Sequence, residues 1–292
     1  MTRASIGRLA TPAILLISCS CARTPPADLT GFGRAATGLQ TDVGSSFAEA
    51  NRLARSAETD RFVRSGAIGL SERRFPSAVP PEVAAAWRSA LGDLARYGNL
   101  LATLTGGGRG SMRTDAFRQL GVQLSAGPVA ADLDPGIAAG FSALAGALVD
   151  LRAQSSARDI MRRTDPDVRR LLVSMADAVG VDDGSGLRGT VRSNWTAALT
   201  AHQRTYAVAA TEKADARQRQ IVSDYLAGID RRDAQLAGLA MLRSSLLSLA
   251  DAHTAAAAGS ARPFRDVLAD VDDRLRRTEQ TYMAVEKAGG ER

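Results

Sequence analysis

The sequence predicts an all-α protein: an elongated antiparallel bundle of long, coiled-coil-like helices. Three observations carry this. The apolar residues recur in alternating steps of three and four, which places them on one helical face, and no stretch shows the two-residue alternation of a strand. Alanine, the strongest helix former, supplies 54 of 292 residues, whereas aromatics make up only 4%. Asp-Pro pairs at 134–135 and 165–166 stand directly before apolar stripes, where an acidic N-cap and a proline at the first helical position belong.

The first stripe is Leu29, Phe32, Ala36, Leu39, Val43, Phe47, Ala50, Ala54 and Ala57. Glycines 31, 33, 38 and 44 fall in its first half and lower its intrinsic helicity. Residues 65–81 carry Gly66, Gly69, Pro76, Pro80 and Pro81 and read as a loop. Pro80-Pro81 opens a second helix with Val83, Trp87, Leu91, Leu94, Gly98, Leu101 and Leu104, and three consecutive glycines at 106–108 end it. A shorter helix runs from about Arg113 to Leu124. The Asp134-Pro135 helix carries Ile137, Phe141, Leu144, Leu148 and Leu151. The Asp165-Pro166 helix carries Val168, Leu171, Leu172, Met175 and Val179, and the two can stack end to end as one long, kinked helix.

After a polar loop at 181–186, one long stripe runs from Val191 through Trp195, Leu199, His202, Tyr206, Ala210 and Ala214 to Ile221, Tyr225 and Ile229. Gly228 followed by Asp230 suits a C-cap and a new N-cap, so the chain is expected to reverse there or else to run on as one helix over 187–258. Leu236, Leu239, Leu242, Leu246, Leu249 and His253 form the next stripe. Pro263 opens the last helix, with Phe264, Val267, Val271, Leu275, Thr278, Tyr282 and Val285.

The N-terminus has a different character. Arg3 and Arg8 precede an apolar run, Leu9–Ile17, that is too short to span a bilayer but suits the hydrophobic region of a signal peptide. The run ends in Leu16-Ile17-Ser18-Cys19, which resembles the signal of bacterial lipoproteins: an aliphatic residue, a tolerant position, a small residue, then cysteine. The resemblance covers only about the first twenty residues. It implies cleavage before Cys19, diacylation of its sulfur, and a membrane anchor that does not span. Ser20 in place of Asp implies the outer membrane, so the expected location is its periplasmic face in the cell envelope. The chain then divides into a signal peptide (1–18), a lipidated tether (19–28) and one helical-bundle domain (29–292). The only other cysteine is Cys21, so the folded part has neither disulfides nor thiolate metal sites.

The net charge is +6, yet all but Lys213 and Lys287 of the basic residues are arginine, and they alternate with acids, as in Arg231-Arg232-Asp233. Such mixing makes solvated helix faces rather than a nucleic-acid footprint, and no nucleic-acid partner is expected. Thr105–Ser111 is glycine-rich but lacks the lysine and the preceding strand of a phosphate loop. Asp182-Asp183-Gly184-Ser185-Gly186 lacks the ligand spacing of a calcium loop and reads as a polar turn. Asn194-Trp195-Thr196 matches a glycosylation acceptor but sits in a predicted helix. No nucleophile motif or His-Glu-x-x-His is present, so no catalytic residue and no cofactor are assigned.

One constellation remains. If the chain reverses near Gly228, His202 and His253 fall at nearly the same level of a helical hairpin, where two imidazoles could share a metal. Both are nevertheless expected to be structural, because a metal site needs more ligands than two. The small residues at 207–216 either allow close helix approach or leave a shallow groove for a partner. The functional expectation is a non-enzymatic, membrane-anchored scaffold or adaptor for another envelope protein; the alternative is a small-molecule or metal sensor or carrier with a site inside the bundle at His202 and His253.

Overall fold

A computed structural model describes residues 26–105, 110–126, 134–151 and 156–260, together with 266–271, 273–274, 276–277 and 280. Among these residues the regular structure is helical throughout, with no strand. Helix α1 spans Pro26–Arg64, α2 Pro81–Thr105, α3 Gly110–Ala126, α4 Pro135–Val149, α5 Ala157–Val179, α6 Gly186–Thr211 and α7 Asp215–Ala258; residues 266–271 are helical again. No described helix is long and apolar enough to cross a membrane. Cys19 and the leader lie outside the described residues.

All nine stripe positions of α1, from Leu29 to Ala57, are buried. The helix starts at Pro26, three residues before the expected start of the domain at 29, and a proline suits a first turn. Its glycines do more than lower helicity. A Cβ at Gly98 of α2 would lie 2.8 Å from the backbone N of Gly33 and 2.9 Å from its Cα. The two helices therefore touch backbone to backbone at this crossing. Further along, Phe47 meets Trp87 edge-on, and the Asn51 amide holds the loop before α2 by accepting from Val79 N–H at 2.7 Å and donating to its carbonyl at 2.9 Å. Low numbers on α1 face high numbers on α2, so the pair is antiparallel. The loop at 65–80 is as expected, with one short 3₁₀ turn at Glu72–Arg74.

Asp134 caps α4 as expected: its carboxylate accepts from Gly136 N–H at 2.8 Å, with Pro135 at the first position. Residue 165 departs from expectation. The α5 helix begins eight residues earlier, at a capping box in which Ser156 and Asp159 satisfy each other's backbone N–H, and it carries Pro166 in its interior. A local signal at 165–166 lost to a better one upstream. Nor do α4 and α5 stack into one helix. They pack side by side and antiparallel, with Gly140 against Leu171 and Gly136 against Ser174.

The second correction concerns the hairpin. The chain reverses at Glu212–Ala214, with Lys213 in the left-handed region at φ 55°, and Gly228 lies inside α7. Gly228 is buried because Leu199 and Trp195 of α6 press on it: a Cβ there would meet Leu199 Cδ2 at 3.0 Å. The 44 residues of α7 serve as the spine. Its second half runs antiparallel to α5, through Asp251–Arg169 and Arg243–Asp177, and its first half runs antiparallel to α6, through Gln235–Trp195 and Tyr225–Gln203. Gly180, at φ 115°, makes the step from α5 to α6 possible, since a Cβ there would lie 2.1 Å from Ser185 O.

Candidate functional site

A connected set of polar side chains lies deep in the core where α1, α2, α5 and α7 meet. Tyr97 lies on the apolar stripe of α2 between Leu94 and Leu101, and Thr164 on that of α5 between Ile160 and Val168. His253 lies on that of α7, and each of the three side chains is at most 1% exposed. The Tyr97 Oη is 2.7 Å from Thr164 Oγ1 and 3.0 Å from His253 Nε2. His253 Nδ1 is 2.8 Å from Asp165 Oδ1, which also accepts from Thr254 Oγ1 at 3.0 Å. Phe32 and Phe117 pack against the Tyr97 ring at centroid distances of 6.3 and 6.0 Å, and Phe32 covers His253 at 5.6 Å.

Two proton arrangements fit these distances. With a neutral imidazole, Nδ1–H donates to Asp165, Tyr97 O–H donates to Nε2, and Thr164 O–H donates to Tyr97. With an imidazolium, Nε2–H donates to Tyr97, Tyr97 donates to Thr164, and Thr164 donates to the Ile160 carbonyl, 2.9 Å away. Either way Tyr97, Thr164 and His253 have every side-chain polar group satisfied, which is what makes such a network tolerable in an apolar core. Burial would raise the Asp165 carboxyl. The hydrogen bond and charge of His253, the Thr254 hydroxyl and Arg169 outweigh that and hold it below the ordinary aspartate range. Burial pushes the Tyr97 phenol well up.

This order of Asp, His and a hydroxyl has the connectivity of a proton relay. It lacks access. Only Asp165 reaches solvent, with 21% of its side chain exposed. The hydroxyl that a relay would activate is sealed by Phe32 and Phe117, so the network can lock helices together but cannot touch a substrate.

The histidine pair foreseen at one level of a hairpin does not form. With the reversal at 212–214 rather than at Gly228, His202 lies about 11 residues from the turn and His253 about 40, which separates them by about 43 Å along the hairpin. His202 is half-buried on the outer part of α6, while His253 is in the deep core. Among the described residues no three His, Cys, Asp or Glu side chains gather as a metal would require. Trp87 and Trp195 both pack in the core, the second donating its indole N–H to Gln235 Oε1 at 2.7 Å. The 182–185 segment is a polar turn, with Asp182 accepting from Gly184 N–H at 2.9 Å. Of the small residues at 207–216, Ala209 is buried against the turn and the others are more exposed. Most of the glycine run after Thr105 lies outside the described residues.

Sequence reading missed Tyr97, Thr164 and Asp165. A signal for the first two exists: a hydroxyl on an otherwise apolar stripe needs a partner across the core. Asp165 was hidden behind its apparent role as a cap.

The outer half of the α6–α7 hairpin is built differently. Residues 203–208 are exposed in succession, and Tyr206, Val222 and Leu226, which are 40%, 43% and 54% exposed, line one shallow groove between the two helices. No protein-family model matches the chain, and neither a curated protein nor a solved structure matches it.

Proposed function

We propose that the protein is a lipid-anchored, non-enzymatic scaffold or adaptor of the bacterial cell envelope, held by Cys19 on the periplasmic face of the outer membrane. The observation that carries this reading is the shallow groove on the α6–α7 hairpin, where exposed Tyr206, Val222 and Leu226 stand beside Asp215, Gln218, Arg219 and Ser223. Large apolar side chains grouped at one exposed place favour a protein partner over a small ligand. The enclosure of the polar network supports a structural role for the core.

The anchor sets the geometry. Six residues separate Cys19 from Pro26, so α1 begins within about 25 Å of the bilayer. Phe32 packs on His253 at that end, and Lys213 lies 40 residues back along α7. The hairpin turn thus stands about 60 Å further along the helices. The partner groove is held well away from the membrane that carries the anchor.

The test is site-specific photocrosslinking in cells. A photoreactive residue at Val222 is expected to give one discrete protein adduct that Leu226→Asp abolishes, while the same probe at exposed Arg163 on α5 gives none. Equal labelling from both positions, or no adduct at Val222, would count against the scaffold reading.

A further inference from the structure

A second surface feature lies where the end of α1 meets α6. Arg61 and Arg64 sit one turn apart in the last turns of α1, and Arg192 and Arg204 project from α6; all four line one groove of about 630 Å³. Along α6, Arg192 and Arg204 are 12 residues and so about 18 Å apart, with Thr196 and Thr200 between them on the same face. The positive charge is only partly answered. Arg61 pairs with Glu58 at 2.5 Å, and Arg192 shares Asp183 with Arg188. Among the described residues, neither Arg64 nor Arg204 has an ion-pair partner. Elsewhere some exposed arginines, such as Arg52, Arg170 and Arg217, pair with a neighbouring acid, and others, such as Arg55 and Arg163, do not; what sets this groove apart is that four arginines from two helices line it together.

We propose that this groove binds a linear polyanion bearing phosphate groups. Guanidinium forks fit phosphate and carboxylate oxygens bidentately, and two walls of arginine on separate helices favour a ligand carrying several charges over a single ion. The 18 Å run of the α6 wall favours a chain over a compact anion. The concave shape favours a strand of charges over the flat surface of a bilayer. Among the described residues no aromatic side chain lines the groove, so these residues offer no stacking platform for nucleobases. The groove also lies about 50 Å along α1 from Pro26, beyond reach of lipids in a membrane anchored at Cys19. This site is distinct from the groove on the hairpin and does not depend on it.

The experiment titrates the detergent-solubilised full chain with linear polyphosphate, inorganic phosphate, and vesicles containing phosphatidylglycerol. Polyphosphate is expected to bind at least about tenfold more tightly than inorganic phosphate, with an affinity that falls steeply with salt. Arg64→Ala/Arg204→Ala is expected to weaken polyphosphate binding about tenfold or more and to flatten its salt dependence. Arg88→Ala/Arg96→Ala, which removes the same charge from α2, is expected to leave both unchanged. Circular dichroism melting of both variants checks that neither has unfolded. Equal losses in the two double variants would reduce the effect to net charge and overturn the proposal. So would binding to vesicles without binding to polyphosphate, or no binding to either.

Discussion

Tyr97 makes the clearest test at the residue scale, because its hydroxyl joins groups from three helices. Tyr97→Phe keeps the packing against Phe32 and Phe117 but leaves His253 Nε2 buried without a partner. It should destabilise the fold by about 1–3 kcal/mol. Thr164→Val should cost less, because Tyr97 then keeps its bond to His253. Urea midpoints at constant m-value decide the order, and the reverse ranking would show that Thr164 anchors the network. Asp165 gives the network a pH dependence. Its folded pKa lies below the unfolded value of about 4, so its contribution is complete above that value and is lost as pH falls toward the folded one. Asp165→Asn should therefore show a shallower loss of stability between about pH 5 and pH 3 than the parent. Some slope will remain, because the Asp159 carboxyl is also held low, chiefly by its hydrogen bond from Ser156. Parallel acid limbs in the two proteins would mean that Asp165 is not the group that titrates.

Among the elements, the glycines separate into two kinds that sequence treats alike. A methyl group at Gly98 would press into the backbone of Gly33, which cannot rotate away. Gly98→Ala should therefore cost about 1–3 kcal/mol despite alanine's better helix propensity. A Cβ at Gly44 meets nothing within 4 Å. Gly44→Ala should raise stability by about 0.5–1 kcal/mol, the ordinary gain of replacing a helical glycine. Thermal melts of the two variants should shift in opposite directions, and a shared sign would refute the close crossing of α1 and α2. The stripes of α1 and α4 were legible residue by residue, and those of α2 and α5 except for Tyr97 and the first turns of α5, because burial of one face imposes the period on the sequence. The stripe of α6 was legible only as far as Leu199. Beyond it the same period continues through Tyr206 and Ala210, which are exposed, because among the described residues no third helix covers the hairpin there.

For the whole molecule, the expectation that matters most is the anchor. Cys19→Ala should leave an unprocessed precursor lacking the diacyl group, and intact mass spectrometry of the parent protein should show the lipid mass on a chain beginning at Cys19. A parent chain with a free, unmodified N-terminus would dismiss the anchor and with it the reading of the molecule as an arm reaching away from a membrane. The long antiparallel pairs support that reading, since α1 and α7 both run for more than 35 residues.

The sequence by itself determined the helical class, the buried stripes of α1 and α4, and the cap at Asp134. Each depends on residues within a turn or two of one another, where spacing is the whole of the geometry. Only the tertiary structure decided that Asp165 binds a histidine rather than starting a helix, that the chain reverses at Lys213 rather than at Gly228, and that His202 and His253 stay apart. Tyr97 and His253 are 156 positions apart in sequence, so no local pattern couples them. A buried polar side chain takes its partner from whichever helix the packing brings against it. A turn falls where the facing side chains, here Trp195 and Leu199 over Gly228, leave the chain free to leave the core.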